Sequence, residues 1–208
     1  MKMKALLLGD YSLTPYHSLT GVDEKINNIL NEFFDISVTD DYSLLSNELE
    51  DIKLIICYAD RWNSALNDSE MGGLVSFVAR GGGLIVLHNG ISLGKRDEFK
   101  SMTGAWFTGH PESNMLPFQL VGEHPICMGI TDFEMYEEPY QYGFCNHIEP
   151  EVFLYYQNEG KIFKSGWTNK FGEGKVVCLH PGHDMKSFEN PSYNQIIIRS
   201  ALWSVGCL

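Results

Sequence analysis

Short apolar runs recur along the chain, and each ends at a polar residue or a glycine. Such runs are typical of strands that are buried on both faces, because neither face carries polar side chains. Strands of this kind are predicted over Lys4–Gly9, Leu54–Ala59, Leu84–Leu87 and Lys175–Leu179. The alternating segment Phe34–Thr39 is also typical of a strand.

Apolar residues at helical spacing separate these strands. The predicted helices cover Gly21–Phe34, Tyr42–Leu49, a segment from Asn67–Ser69 to Arg80, and Pro191–Val205. Asn67–Ser69 favours a helix start and Gly81–Gly83 favours its end. Strands that are apolar on both faces need helices on both sides, so the pattern predicts an α/β fold with a three-layer, doubly wound, mostly parallel sheet.

The pattern changes between Gly94 and Thr168, where the helical spacing fades. Strand-like pieces separated by glycine, proline and asparagine are predicted at Pro117–Val121, Phe133–Glu137, Val152–Gln157 and Lys161–Ser165. No low-complexity linker separates this half from the first. We therefore expect residues 1–208 to form one domain, in which the second half adds extra β-structure to the sheet.

Charge and composition disfavour several classes of function. The 208 residues carry 15 Lys and Arg against 27 Asp and Glu, a net charge of −12, which disfavours nonspecific binding to nucleic acid or an anionic membrane. The apolar run after Lys4 is too short for a signal peptide, and no stretch approaches the roughly 20 apolar residues of a membrane span. Five scattered cysteines without a C-x-x-C pair indicate neither a disulfide framework nor a thiolate zinc site, so a cytoplasmic location is expected. A homo-oligomer is compatible with the sequence.

Candidate chemistry follows the predicted strands, because ligands bind at the carboxyl ends of the strands in open parallel sheets. The residues at these places are Asp10 and His17 after the first strand, Asp60 and Trp62 after the second, His88 after the third and His183 after the fourth. Converging imidazoles suit zinc or another divalent metal bound by His17, His88 and His183, or a general acid and base pair. A hydrogen-bonded structural role is the alternative for each histidine.

Two further features have simpler explanations. Gly81–Gly83 precedes a strand, whereas the glycines of nucleotide-binding loops follow one, so the triplet is interpreted as a helix end. Cys57 lies inside a predicted strand, where an inert buried thiol is expected and a nucleophilic thiol is the alternative.

Aromatic residues in loops and irregular segments, among them Trp62, Trp106 and Tyr140, are candidates for lining a sugar-sized pocket.

An ordered set of motifs along nearly the whole chain resembles the ThuA-like (trehalose utilisation) family. The motifs are Gly81–His88, Gly104–Phe107 with His110-Pro111, His124–Ile126 with Gly129-Ile130, Tyr136–Tyr140, and Gly172–Val177 leading to Gly182–Asp184. The resemblance implies a class I glutamine amidotransferase-like, flavodoxin-like fold. It also implies functional positions at His17, His88, His110, His124, Glu138 and His183, with Glu137 beside them.

The resemblance also bears on thiol chemistry. Amidotransferases of this fold carry a nucleophilic cysteine at the turn between a strand and the following helix, the strand-to-helix elbow. The comparable stretch here is Val86–Gly90, with His88 at the position of the thiol. Thiol-dependent glutamine hydrolysis is therefore not expected.

The resemblance and the converging histidines together suggest an enzyme of carbohydrate metabolism. It would act on a small sugar or sugar derivative in a histidine-rich pocket at the C-terminal ends of the strands. The expected catalytic residues are His17, His88, Glu138 and His183, and the expected substrate-binding residues are Asp10, Asp60, Trp62, Trp106, His110, His124 and Tyr140. The alternative is a noncatalytic sugar-binding or regulatory protein that has kept the fold and lost the thiol.

Overall fold

The strands and helices alternate through the first half of the chain and strands dominate the second. The computed structural model describes residues 2–12, 14–47 and 49–208. The strands are β1 (Met3–Gly9), β2 (Phe34–Thr39), β3 (Ile52–Tyr58), β4 (Gly83–Leu87), β5 (Ala105–Gly109), β6 (Asn114–Leu120), β7 (Phe133–Glu137), β8 (Gln141–Phe144), β9 (Glu151–Asn158), β10 (Lys161–Phe171) and β11 (Gly174–Leu179). The α-helices are α1 (Val22–Leu30), α2 (Asp68–Ala79), α3 (Asp97–Thr103) and α4 (Pro191–Ser204), and 3-10 turns cover Tyr42–Ser46, His88–Lys95, Pro125–Cys127 and Met185–Glu189.

Within the described residues, nine strands form one mixed sheet in the order β2-β1-β3-β4-β11-β10-β9-β6-β7. The first five are parallel to their neighbours, and their 2-1-3-4-5 pattern is that of flavodoxin-like sheets. The other four are antiparallel additions from the second half of the chain. The expected α/β class and β-additions are confirmed, but the sheet is mixed rather than mostly parallel. Strands β5 and β8 form a separate two-stranded ribbon.

The core lies on both faces of the parallel strands, because successive side chains of a strand point to opposite faces. In β4, Ile85 and Leu87 join a buried cluster with residues of α1 and α4, whereas Leu84 and Val86 join a second cluster with residues of α2 and α3. Burying one such aliphatic side chain contributes roughly 1.5–3 kcal/mol. The apolar runs in the sequence therefore correspond to strands covered by helices on each side.

The helices differ from the sequence prediction mainly at their ends. The first is shorter than predicted, because Gly21 adopts a left-handed φ of 79° ahead of it and the chain after Leu30 turns into β2. The second is one 3-10 segment, Tyr42–Ser46, and Glu48 within the predicted range lies outside the described residues. Helix α3 and the β5–β8 ribbon were not predicted. In the described part of the chain, no helix combines the length and apolar character that a membrane crossing requires.

Helix α2 begins and ends as the sequence predicts. The Asn67 side chain accepts a hydrogen bond from the Glu70 amide, and the Glu70 side chain accepts one from the Asn67 amide. This capping box satisfies two amides that have no partner within the helix. Gly81 follows the helix with a left-handed φ of 105°, a conformation in which glycine avoids the strain of a side chain. The glycine triplet is thus a helix end followed by β4.

A tight turn follows β4 at His88, the position compared above with the strand-to-helix elbow. His88 has a φ of 41°, which is rare for a residue with a side chain and costs about 1–3 kcal/mol. Two residues later, Gly90 packs directly against the end of β3. A Cβ atom at Gly90 would lie 2.2 Å from the Cys57 carbonyl oxygen. The turn therefore requires a residue without a side chain at this point.

We predict that Gly90→Ala destabilises the protein because the new methyl group forces the turn away from β3. Overpacking of this kind costs about 1–3 kcal/mol, which lowers the midpoint of urea unfolding followed by circular dichroism. Gly94→Ala is the matched control in the same 3-10 segment, since a Cβ there meets no atom within 4 Å. Equal midpoints for the two variants would contradict a packing constraint at Gly90.

Candidate functional site

Four segments that are distant in sequence meet at the C-terminal ends of the parallel strands. His17 follows β1, His88 follows β4 and His183 follows β11, while Glu138 follows the edge strand β7. One nitrogen of each histidine and one carboxylate oxygen of Glu138 all lie within 4.8 Å of one another. We call these four residues the histidine cluster. The structure thus brings together the side chains that were expected at this edge.

His88 presents a neutral imidazole to the cluster. Its side chain is fully buried, and this burial lowers its pKa to about 4. Its Nδ1 atom lies 2.7 Å from the His180 carbonyl oxygen and so donates its proton there. The Nε2 lone pair then points to Glu138, whose Oε2 is 3.2 Å away.

His17 has the same arrangement. Its Nδ1 atom donates to the His183 carbonyl oxygen at 3.1 Å, which leaves the lone pair on Nε2. That Nε2 atom lies 3.5 Å from Glu138 Oε2 and 3.3 Å from the Tyr140 hydroxyl. The His17 backbone is fixed from the other side, because its amide donates to Asp60 Oδ2 at 2.6 Å.

His183 completes the cluster from the loop after β11. Its Nδ1 atom is buried and lies 3.3 Å from Glu138 Oε2, with no hydrogen-bond partner among the described residues. The neighbouring Glu138 side chain raises the pKa of His183. Burial alone would raise the pKa of Glu138, but the surrounding imidazoles of His17, His183 and His88 lower it further than burial raises it. Glu138 is therefore a carboxylate when a proton or another cation lies between it and these imidazoles.

In these contacts, hydrogen-bond acceptor atoms face one another with no donor between them. The lone pairs on Nε2 of His17 and His88 face a carboxylate, and such groups repel unless a cation or a proton lies among them. In a tetrahedral zinc site with bonds of about 2.0–2.1 Å, neighbouring ligand atoms are about 3.3–3.4 Å apart. The separations from Glu138 Oε2 are 3.2, 3.3 and 3.5 Å. Backbone carbonyls that fix the second imidazole nitrogen are also typical of metal-binding histidines. The donor set therefore fits a divalent metal.

A cavity of about 530 Å³ opens beside the cluster, within the range of small-molecule sites. Its lining consists of Tyr16, His17, Trp62, Asn63, Phe107, Gly109, His110, Glu138 and Tyr140. Trp62 and Phe107 are in ring contact, with centroids 4.9 Å apart. Tyr140 stacks on His88 at 4.1 Å and so connects the cavity wall to the cluster. Rings beside polar groups are suited to a sugar-sized ligand.

Of the expected substrate-binding residues, His110, Trp62 and Tyr140 line this cavity. The Nδ1 atom of His110 donates to the Pro111 carbonyl oxygen at 2.8 Å, and its Nε2 atom lies 3.8 Å from Glu138 Oε1. This arrangement leaves an acceptor nitrogen at the cavity wall. The structure therefore places these side chains where a ligand can reach them.

Asp10 and Asp60 support the cavity from behind and do not line it. Asp10 Oδ2 accepts hydrogen bonds from the Tyr42 hydroxyl and the Asp60 amide, both at 2.8 Å. Asp60 in turn accepts from the amides of Tyr16 and His17. They connect the loops after β1 and β3, and their contact with substrate stays a prediction.

Trp106 and His124 also lie away from the cavity lining. Strand alternation in β5 directs Phe107 to the cavity and Trp106 to the other side, where its ring covers Gly143. His124 is buried between the rings of Phe153 and Trp203, with Nδ1 accepting from the Ile126 amide. Trp203 lies near the start of β11, so His124 is at the opposite end of the sheet. The structure therefore does not bring these two residues to the cavity, and their substrate-binding role stays a prediction.

Two further buried residues belong to the site: His180, which was not among the predicted site residues, and Glu137, which the motif resemblance placed beside Glu138. His180 lies beneath the cluster, where its Nε2 atom contacts the Glu138 carbonyl oxygen and its Nδ1 atom accepts from the Ser165 hydroxyl at 2.9 Å. Glu137 is fully buried, and this burial raises its pKa to about 7 despite hydrogen bonds from Ser187, His183 and Gly182. The sequence signal for His180 is its place directly after a buried strand, the same signal that identified His88.

The comparisons with known proteins agree with this architecture. The family model ThuA, described as trehalose utilisation, matches residues 16–204. A comparison with curated proteins gives no match. Among solved structures, the chain is similar to a ThuA-like protein from Parabacteroides merdae, with a TM-score of 0.83, 13% identity, and coverage of 99% of this chain and 91% of that one.

Two further structures share the fold. For a ThuA-like protein from Bacteroides uniformis, the TM-score is 0.77 and the identity 17%, over 97% of this chain and 91% of that one. For the β-galactosidase from Bacillus circulans, the TM-score is 0.66 and the identity 16%, over 97% of this chain but 31% of the β-galactosidase. At these identities the similarity shows the fold alone.

The thiols lie outside the histidine cluster. Cys57 is buried inside β3, where burial raises its pKa to about 12 and the sulfur faces the Gly90 carbonyl oxygen at 3.8 Å. Cys178 is buried in β11, and burial raises its pKa as well. Because alkylation requires an accessible thiolate, both thiols are expected to be inert in the folded protein.

We predict that iodoacetamide modifies Cys207 rapidly and leaves Cys57 and Cys178 unmodified while the protein is folded. Cys207 is exposed and serves as the internal control. Peptide mass spectrometry over a time course measures each site, and labelling in urea shows that all three are reactive once unfolded. Rapid labelling of Cys57 in the folded protein would support thiol chemistry instead.

Proposed function

Because the chain belongs to the ThuA family, described as trehalose utilisation, we propose that it is an enzyme of carbohydrate metabolism acting on a small sugar or sugar derivative. The single observation that carries the proposal is the histidine cluster beside an aromatic cavity. A merely structural group of histidines would be expected to satisfy its own hydrogen bonds. Here the lone pairs of two imidazoles converge on a carboxylate instead.

We propose that His17, His88, His183 and Glu138 bind zinc or another divalent cation. Such an ion, when bound, would polarise a carbonyl or hydroxyl oxygen of the substrate as a Lewis acid. The protein fixes the orientation of its ligands through backbone carbonyls, which hold the imidazoles of His17 and His88 with Nε2 toward Glu138. Because these imidazoles are held in place before the ligand arrives, little ordering is required on binding.

The remaining cavity residues suit a neutral, hydroxyl-rich ligand. Trp62 and Phe107 offer apolar ring surfaces for the C–H face of a sugar, and Asn63 and His110 offer hydrogen-bonding groups. The lining residues include neither lysine nor arginine, the side chains that usually bind phosphate. The proposal is therefore a neutral sugar or an oxidised sugar rather than a sugar phosphate.

We also propose that the chain forms one three-layer, doubly wound domain of the glutamine amidotransferase-like class. The 2-1-3-4-5 order of the parallel strands and the helices packed against both of their faces support this assignment. His88 at the elbow replaces the thiol of that class. This replacement is also the observation that favours the alternative, a noncatalytic sugar-binding protein on the same fold.

We predict that the purified full-length chain binds a divalent ion and that His88→Ala and His183→Ala each abolish binding, because each removes one of the converging nitrogens. Zinc content by mass spectrometry and isothermal titration with Zn²⁺ measure this, together with turnover of a panel of neutral sugars. His147→Ala, in the exposed loop between β8 and β9, is the matched control. Unchanged metal content and turnover in both cluster variants would contradict the proposal.

We predict that Trp62→Ala and Phe107→Ala weaken sugar binding about two- to tenfold, because an aromatic contact contributes roughly 0.5–1.5 kcal/mol beyond its buried area. Isothermal titration with neutral mono- and disaccharides, beginning with trehalose, measures the affinity. Trp106→Ala is the control, since its ring lies on the other side of β5. Equal losses from Trp106→Ala and Phe107→Ala would contradict the assigned cavity. Sugar binding without turnover and without metal would support the noncatalytic alternative.

A further inference from the structure

One short loop contacts all three histidines of the cluster. This loop, residues 180–184 after β11, accepts the Nδ1 proton of His88 at the His180 carbonyl and that of His17 at the His183 carbonyl. It also carries the His183 side chain itself. Gly182 packs so closely on His88 that an added Cβ would lie 2.9 Å from the His88 Cβ. A shift of this loop would therefore move every imidazole of the cluster.

Glu137 supports the loop from inside the protein. Its side chain is fully buried, and its carboxylate accepts hydrogen bonds from the Gly182 amide at 3.3 Å and the His183 amide at 3.2 Å. A buried carboxylate is costly to desolvate, and hydrogen bonds from backbone amides offset that cost. Glu137 thus fixes the two successive amides that lead into His183.

Two tyrosines hold the same loop by its carbonyl oxygens. The Tyr58 hydroxyl donates to the Gly182 carbonyl at 2.7 Å, and the Tyr193 hydroxyl donates to the Pro181 carbonyl at 2.6 Å. Both tyrosines are buried. Among the described residues, Glu137 alone accepts a hydrogen bond from the amide of His183 itself, so this contact adjoins the residue whose imidazole must be oriented.

We propose that Glu137 is a positioning residue of the histidine cluster, which sets the orientation of His183 and the two tautomer-fixing carbonyls through the loop at residues 180–184. The inference rests on the proposed metal-binding function. The two adjacent carboxylates differ in their surroundings, since Glu137 is fully buried at the end of β7 and Glu138, the next residue, is partly exposed beside the cavity. Glu138 contacts the imidazoles directly, and Glu137 acts on them through the backbone.

The test is a titration of the full-length protein, stripped of metal with a chelator, with Co²⁺. Visible absorption of bound Co²⁺ reports both the affinity and the symmetry of its ligands. Glu137→Gln keeps the shape of the side chain but places a donor amide against the loop amides. We expect a 10- to 100-fold loss of affinity, the usual effect of removing a group that orients metal ligands, together with an altered spectrum.

Glu137→Asp withdraws the carboxylate by one methylene and provides a second variant that keeps the charge, with a loss in the same direction expected. Tyr193→Phe is the matched control, because it removes a hydrogen bond from the same loop without touching the Gly182 and His183 amides. Thermal unfolding of each metal-free variant shows that it is folded. We expect Tyr193→Phe to change the affinity less than threefold and to leave the Co²⁺ spectrum unchanged.

The outcomes separate this inference from the proposed function. Co²⁺ binding by the unmodified chain with unchanged affinity and spectrum in both Glu137 variants would overturn the inference alone. Equal losses of Co²⁺ affinity in Tyr193→Phe and Glu137→Gln would also overturn it. Removal of any hydrogen bond to the loop would then have the same effect as the change at Glu137. Absence of Co²⁺ binding by the unmodified chain would overturn the proposed metal site and the inference together.

Discussion

Two hydrogen bonds from imidazole rings to backbone carbonyls of one loop determine what the histidine cluster can do. His88 donates to the His180 carbonyl and His17 donates to the His183 carbonyl, both through Nδ1. Each bond selects one neutral tautomer and directs the Nε2 lone pair toward Glu138. Without these bonds either ring could turn its N–H to the carboxylate and form an ordinary buried hydrogen bond. The backbone of the loop therefore directs both lone pairs to the same carboxylate.

The parallel sheet brings the first of these pairs, His88 and His180, together. Leu87 at the end of β4 pairs with Leu179 at the end of β11, so the next residues, His88 and His180, leave the sheet side by side. The cost is a left-handed φ at His88, about 1–3 kcal/mol. Close packing at Gly90 and Gly182 leaves the turn no other path. The strained φ of His88 persists because the packing of the neighbouring backbone fixes it, against the preference of His88 itself.

The part of the site that could be predicted from sequence is the part on the parallel strands. His17, His88 and His183 follow apolar runs, and parallel strands end at the same edge. Glu138 follows β7, which β10, β9 and β6 separate from β11, so no local pattern relates it to the histidines and only the motif resemblance identified it. Phe107 and Trp106 show a different limit. They lie in β5, which pairs with β8 in a ribbon that the hydrophobic pattern of the sequence did not predict. The sequence therefore did not show which of the two side chains faces the cavity.

The strand-to-helix elbow is one backbone feature that can hold side chains with different chemical properties. An elbow holds one side chain at the mouth of a site in a strained, well-defined place, and it does so for whichever side chain is present. A thiol there can act as a nucleophile, whereas His88, with Nδ1 bound to a carbonyl and its pKa lowered by burial, offers only a lone pair. Cys57 is buried beneath the turn, where its sulfur faces the Gly90 carbonyl oxygen. Proteins that share this fold can therefore share the geometry of the elbow. Their reactions still depend on the few side chains that converge at the elbow.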